Sequence, residues 1–198
     1  EQLLHTTGNL EEAREFCAYA DNQLSGQPGD VGGSCYHGIG HGVVDGGDPR
    51  NWGGEQAVIG PGLDLCEEVG DTDTQIDRCA SGVFNSLAIA FNNSLYGLSV
   101  NKENPYWICE EQSQHYFKKP CYEEMNTAVV RLGATFGESA KYTEKIVNDT
   151  YAAFAIQGLA SYAPFFYSYD NYGKGVEECR GLKEQLQIPC IVGFAAGL

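Results

Sequence analysis

An all-α fold, an α-solenoid of about five helical hairpins with intra-repeat disulfides in four of them, is what this sequence predicts. Three observations carry that prediction. The eight cysteines fall into short-range couples. The second member of each couple opens a similar phrase: Cys35-Tyr-His-Gly, Cys79-Ala-Ser-Gly, Cys121-Tyr-Glu-Glu and Cys190-Ile-Val-Gly. With Ala155 standing where a fifth such cysteine would fall, these positions lie 44, 42, 34 and 35 residues apart, the period of arrays of paired helices. No alternating strand pattern competes with the helical one.

The first helix of each hairpin is expected at Leu10 to Ala20, Leu63 to Val69, Tyr106 to Gln114, Ser139 to Asn148 and Val176 to Gln185. Their partners are expected at Gly33 to Val44, Thr74 to Asn92, Pro120 to Leu132, Asp149 to Ala163 and Pro189 onward. Start signals support the partners: Thr74-Gln-Ile-Asp77 resembles a capping box, Asp149 or Thr150 can cap, and Pro120 and Pro189 suit a first turn. Proximity then pairs Cys17 with Cys35, Cys66 with Cys79, Cys109 with Cys121 and Cys179 with Cys190, one of 105 pairings that eight cysteines allow. Each closure removes roughly 3 kcal/mol of chain entropy from the unfolded state. The fourth hairpin has no couple and relies on Tyr151, Phe154, Ile156 and Leu159 for apolar bulk.

A length of 198 residues with 42% hydrophobic content suits a single helical-repeat domain over 1–198. The start at Glu1 fits a mature chain whose export signal has gone. The stop at Leu198 inside an apolar phrase fits a longer parent chain or a larger assembly. Twenty-seven acidic residues against twelve basic ones give a net charge of −15, which repels nucleic acid and anionic lipid. No apolar run is long enough to cross a membrane. The even cysteine count without any Cys-x-x-Cys points away from structural zinc and thioredoxin-type chemistry and toward oxidised pairs. Asn92-Asn93-Ser94 and Asn148-Asp149-Thr150 match the acceptor pattern for N-glycosylation. Disulfides and acceptor sites both place the chain outside the cell, at its surface or in the periplasm.

One segment hints at chemistry. Gly38, Gly40 and Gly42 fall within a single expected helix, where each glycine costs up to about 1 kcal/mol against alanine. Either Ser34, Gly38 and Gly42 form a face on which another backbone packs, or the glycines clear space beside His37 and His41 for an ion or small ligand. His37 and His41 are four apart, so a helix projects both imidazoles from one side. They are either satisfied by hydrogen bonds to a neighbouring helix or serve as metal ligands. Asp45 continues the row as a third ligand if the helix breaks near Gly42, and His5, His115, Glu67 and Glu68 are further candidates. With thiols consumed in disulfides, imidazole and oxygen suit zinc or copper. Gly38 occupies the place of the catalytic glutamate in His-Glu-x-x-His, which argues against that type of zinc protease.

The phrase Cys35-Tyr-His-Gly-Ile-Gly-His-Gly42 resembles a signature of predicted exported, cysteine-paired proteins of unassigned role. The resemblance covers one hairpin and implies an exported helical array, with no activity attached.

Two further stretches complete the reading. Tyr162, Phe165, Phe166, Tyr167, Tyr169 and Tyr172 crowd a linker that either contacts a partner or folds back on the array. Asp45 to Asn51 and Asp71 to Asp77 gather carboxylates as calcium loops do, but Ile76 stands where an EF-hand needs glycine, so turn and cap roles are expected. No dinucleotide, phosphate-loop or nucleophile-elbow motif is present, and abundant Asp and Glu alone do not make a hydrolase. The sequence therefore points to a non-enzymatic structural or interaction protein that self-associates through its termini and aromatic segment. The alternative is a metal-binding protein or accessory subunit of a metalloenzyme using His37 and His41.

Overall fold

A computed structural model describes residues 1–24, 31–44, 50, 52–167 and 172–197, apart from the side chains of Val31 and Tyr172. Among these residues every regular element is helical. The order is α1 (Gln2–Thr7), α2 (Leu10–Leu24), α3 (Val31–Gly42), α4 (Glu55–Val69), α5 (Asp73–Asn93), a 3-10 turn over Leu95–Gly97, α6 (Trp107–Glu110), α7 (His115–Glu124), α8 (Asn126–Val129), α9 (Phe136–Thr143), α10 (Asp149–Phe166), α11 (Tyr172–Arg180) and α12 (Glu184–Ala196). No helix among the described residues is long and apolar enough to cross a membrane.

The chain divides into two compact units, one of Glu1–Ser99 with Gln112–Cys121 and the other of Val100–Glu111 with Tyr122–Leu198. In the first unit, Asn9 caps α2 by accepting from the Glu12 N–H, and α2 turns Ala13 and Cys17 inward. Cys17 joins Cys35 across α2 and α3, and Cys66 joins Cys79 across α4 and α5, with Cα atoms 5.4 and 5.5 Å apart. Helix α5 is the buried centre of this unit: Val83, Phe84, Leu87 and Ala88 are fully inaccessible. In the second unit α10 has that place, burying Ala155, Ile156, Leu159, Ala160 and Ala163, and Cys179 joins Cys190 across α11 and α12. Cys109 and Cys121 are also oxidised, so four disulfides are present and the described residues include no free thiol.

Within each unit the second helices approach in one recurring register. Counting from the cysteine position of each phrase, the glycine three residues on meets the carbonyl of the residue two places on in the preceding second helix. A Cβ on Gly82 would stand 2.0 Å from the His37 oxygen, one on Gly158 2.9 Å from that of Glu123, and one on Gly193 2.1 Å from that of Gln157. The residue five places on completes the contact, as Gly40, Asn126 and Ala160 respectively. Missing side chains thus let backbone pack on backbone, and the dispersion contact regained offsets the helix propensity lost.

Several boundaries differ from the expected ones. Pro120 and Pro189 lie in the interior of α7 and α12, which start at His115 and Glu184, and Pro61 lies inside α4, which starts at Glu55. The caps also differ: Thr72 accepts from the Gln75 N–H, Asn148 accepts from the Thr150 and Tyr151 N–H groups, and Thr135 accepts from the Glu138 N–H. These side chains start α5 one residue and α9 three residues before the expected positions and α10 at Asp149 as expected, and α9 ends at Thr143 instead of reaching Asn148.

Three stability changes follow. Gly82→Ala should lower the urea unfolding free energy of the disulfide-intact protein by about 1–3 kcal/mol, because overpacking outweighs alanine's helix preference. Gly60→Ala, at a helical site with nothing within 4 Å of the added Cβ, should raise it by up to about 1 kcal/mol. The Tyr36 hydroxyl is buried without a hydrogen-bond partner among the described residues. Tyr36→Phe should therefore leave stability unchanged or raise it by about 1 kcal/mol in the same assay.

Candidate functional site

The crossing of α3 and α5 brings four polar side chains into line. His37 and His41, one turn apart on α3, face each other with their Nε2 atoms 3.0 Å apart. The remaining ring nitrogen of each is held from α5: Ser81 Oγ lies 2.8 Å from His37 Nδ1, and Ser86 Oγ lies 2.8 Å from His41 Nδ1. Ser81-His37-His41-Ser86 is thus a continuous hydrogen-bonded chain. The imidazoles meet edge to face at 70°. They reach the serines because Gly40 and Gly82 allow the two helices to touch.

Hydrogen count gives the chain a direction. Two neutral rings carry two N–H groups, one of which must bridge the facing Nε2 atoms, so one Nδ1 donates to its serine and the other accepts from it. A hydroxyl serves either role, whereas a carboxylate could only accept. Burial, and next the positive charge of Arg78, hold His37 below the ordinary histidine pKa.

The other expected ligands lie elsewhere. Among the described residues no group of three or more His, Cys, Asp or Glu is placed to hold an ion. His5 stands 3.9 Å from the Glu1 carboxylate on the exposed α1. Glu67 accepts from the Tyr116 hydroxyl at 2.7 Å, and His115 lines a separate cavity with Asp73, Asp77 and Lys119. Asp45 and the rest of 45–49, with Asn51, lie outside the described residues. In the Asp71 to Asp77 stretch the cap of α5 is Thr72, the Asp71 N–H donates to Gln75 Oε1, and the carboxylates form ion pairs, Asp71 with Arg14 at 2.8 Å and Asp77 with Lys119 at 3.1 Å.

No protein-family model, curated protein or solved structure matches this chain.

The aromatic stretch is a helix end where a linker was expected. Tyr162, Phe165 and Phe166 belong to the last turns of α10. Tyr162 is largely buried, which raises its pKa to about 12. Phe166 takes Arg131 over its ring at 5.2 Å, and the Tyr167 hydroxyl donates to the Val130 carbonyl with Ser139 Oγ 2.8 Å away. Phe165 remains, 74% exposed. Tyr169 and the Tyr172 side chain lie outside the described residues. Of the two glycan acceptors, Asn148 is exposed at the start of α10 and Asn92 is half-buried in the last turn of α5.

Sequence reasoning missed Asn126 altogether. This fully buried amide accepts from the Tyr106 hydroxyl and donates to the carbonyls of Tyr122 and Glu123 at 2.8 and 2.9 Å. Its position five residues after Cys121 marks it only once the packing register is known.

The lowered pKa of His37 has a signed consequence. The unfolded chain takes a proton at this residue near pH 6.5, the folded chain only at lower pH, so between those values unfolding binds protons. The stability present above about pH 6.5 should therefore fall on acidification, and His37→Gln should flatten that part of the profile of urea midpoint against pH.

Proposed function

We propose that this chain is an exported structural and interaction protein, an α-solenoid of about five helical hairpins, four of them closed by disulfides, that associates with copies of itself. The observation that carries the reading is the glycine register. Gly38 holds in α3 the place that Gly82, Gly158 and Gly193 hold in α5, α10 and α12, yet a Cβ there would meet only the Glu1 main chain, at 3.3 Å. Among the described residues it is a packing position that meets the chain's own first residue where the others meet a second helix. Beside it a mainly apolar cavity of about 250 Å³ is lined by Leu3, Ala13, Phe16 and Ile39 among others, and Phe16 and Tyr19 are more than half exposed. At the other end of the sequence Ile188 and Val192 of α12 are exposed, 69% and 47%, and Phe165 adds an apolar ring.

Scattered exposed apolar residues are ordinary on a protein surface. What gives these weight is their position in the repeat, since Val192 supplies the carbonyl two places after Cys190, the group that meets glycine in the known contacts. Covalent closure of the hairpins suits export, where disulfides persist. The acidic surface sets a limit on association, because copies of charge −15 repel until salt screens them.

Sedimentation velocity across a concentration series tests the reading. The protein should associate reversibly, more strongly in higher salt, and the double variant Ile188→Glu with Val192→Glu should weaken association by at least tenfold while leaving the helical circular dichroism intact. A monomer up to millimolar concentration in high salt would overturn it.

A further inference from the structure

The Nε2 atoms of His37 and His41 stand 3.0 Å apart, close enough for one ion to bridge them. We propose that these histidines hold one divalent zinc or copper ion between their Nε2 atoms, with water or a small anion completing its shell. Two nitrogens bound at the usual distance to one tetrahedral ion stand about 3.3–3.4 Å apart. The observed separation is 3.0 Å, so small side-chain rotations within one helical turn open the couple to the required span.

The serines make the exchange chemically simple. Histidines that bind metal almost always donate their other N–H to an oxygen, which fixes ring and tautomer. Ser81 and Ser86 already stand 2.8 Å from the two Nδ1 atoms. In the ion-free couple one hydrogen bridges the Nε2 atoms, one Nδ1 bears hydrogen and the other is bare. When the ion takes both Nε2 lone pairs, the bridging hydrogen leaves to solvent and the bare Nδ1 gains one, so both rings remain neutral with no net proton release. Both serines then accept, which needs only rotation of one hydroxyl. An aspartate in either place could not donate to a bare Nδ1.

The remaining chemistry is consistent. With every cysteine oxidised, no thiolate competes for the ion, and imidazole with water favours zinc or copper over magnesium or calcium. The positive charge of Arg78 opposes a dication locally, and the −15 net charge favours one at longer range. With two protein ligands the ion is exchangeable and open to solvent, which suits a reversible site more than a buried structural one.

Calorimetric titration of chelator-stripped, disulfide-intact protein with zinc ion alone should give one site per chain. Copper(II) in the same site should show an electron paramagnetic resonance spectrum split by two nitrogens. His37→Gln and His41→Gln should each lower affinity by about 100-fold, and Ser86→Ala by about 10-fold, while His5→Gln and His115→Gln leave it unchanged. Should either histidine variant fold poorly, imidazole resonances of the unaltered protein serve instead: zinc should move those of His37 and His41 and spare those of His5 and His115. Absence of zinc binding, or binding that survives loss of both histidines, overturns the proposal. Neither result depends on self-association, which Ile188 and Val192 probe separately.

Discussion

Backbone packed on backbone at glycine is the constraint on which the rest of this structure depends. Where Gly40 meets Gly82, a Cβ on the first would stand 1.9 Å from the Cys79 carbonyl and one on the second 2.0 Å from that of His37. No side chain fits either place. The same crossing sets the distances in the histidine chain, because the reach from α3 to Ser81 and Ser86 is as short as it is only when nothing separates the helices. The disulfides act one step away: Cys79 and Cys35 precede Gly82 and Gly40 by three and five residues, so each covalent clamp fixes the partner helix close to the point of contact.

The third phrase departs from the glycine pattern in its sequence, with Glu124 in the place of the glycine. Asn126 shows a different solution within the second unit, where the amide replaces a small residue opposite Gly158 and satisfies every polar atom it buries. A buried amide left with a missing partner would cost about 1–3 kcal/mol, so its full set of bonds lets a polar side chain stand in a packing position.

Helical class and the pairings Cys17–Cys35, Cys66–Cys79 and Cys179–Cys190 were legible in the sequence because they depend on local spacing. Boundaries were less legible. Proline was read as a helix start, yet Pro120 and Pro189 sit in the sixth position of their helices, each immediately before an oxidised cysteine. An interior proline costs about 3 kcal/mol, a comparable amount to what one disulfide contributes, and the adjacent clamp offsets it. Propensity cannot show that compensation. The start of α9 was readable in principle: Thr135 and Glu138 have the spacing of a capping box, with the Glu138 carboxylate accepting from the Ala134 N–H, one residue before the cap, at 2.7 Å.

The histidine couple shows the same division between local and long-range information. Spacing of four put both rings on one side of a helix, and that much was legible. What the rings do depends on Ser81 and Ser86, 44 and 45 residues further on, and those were invisible without the fold. The glycines offered two explanations at the outset, close packing or space beside the histidines, and Gly40 follows the first, packed against the α5 backbone. Of the expected Ser34, Gly38 and Gly42 face, Gly38 meets the Glu1 main chain and Gly42 meets Leu4 and Glu1, while Ser34 is exposed and Gly40 makes the tight contact. Because Gly40 lies between His37 and His41 on the chain, the contact that excludes side chains also brings hydroxyls to both imidazoles. Packing and chemistry therefore share one cause, and a substitution that separates α3 from α5 must loosen the core and the histidine chain together.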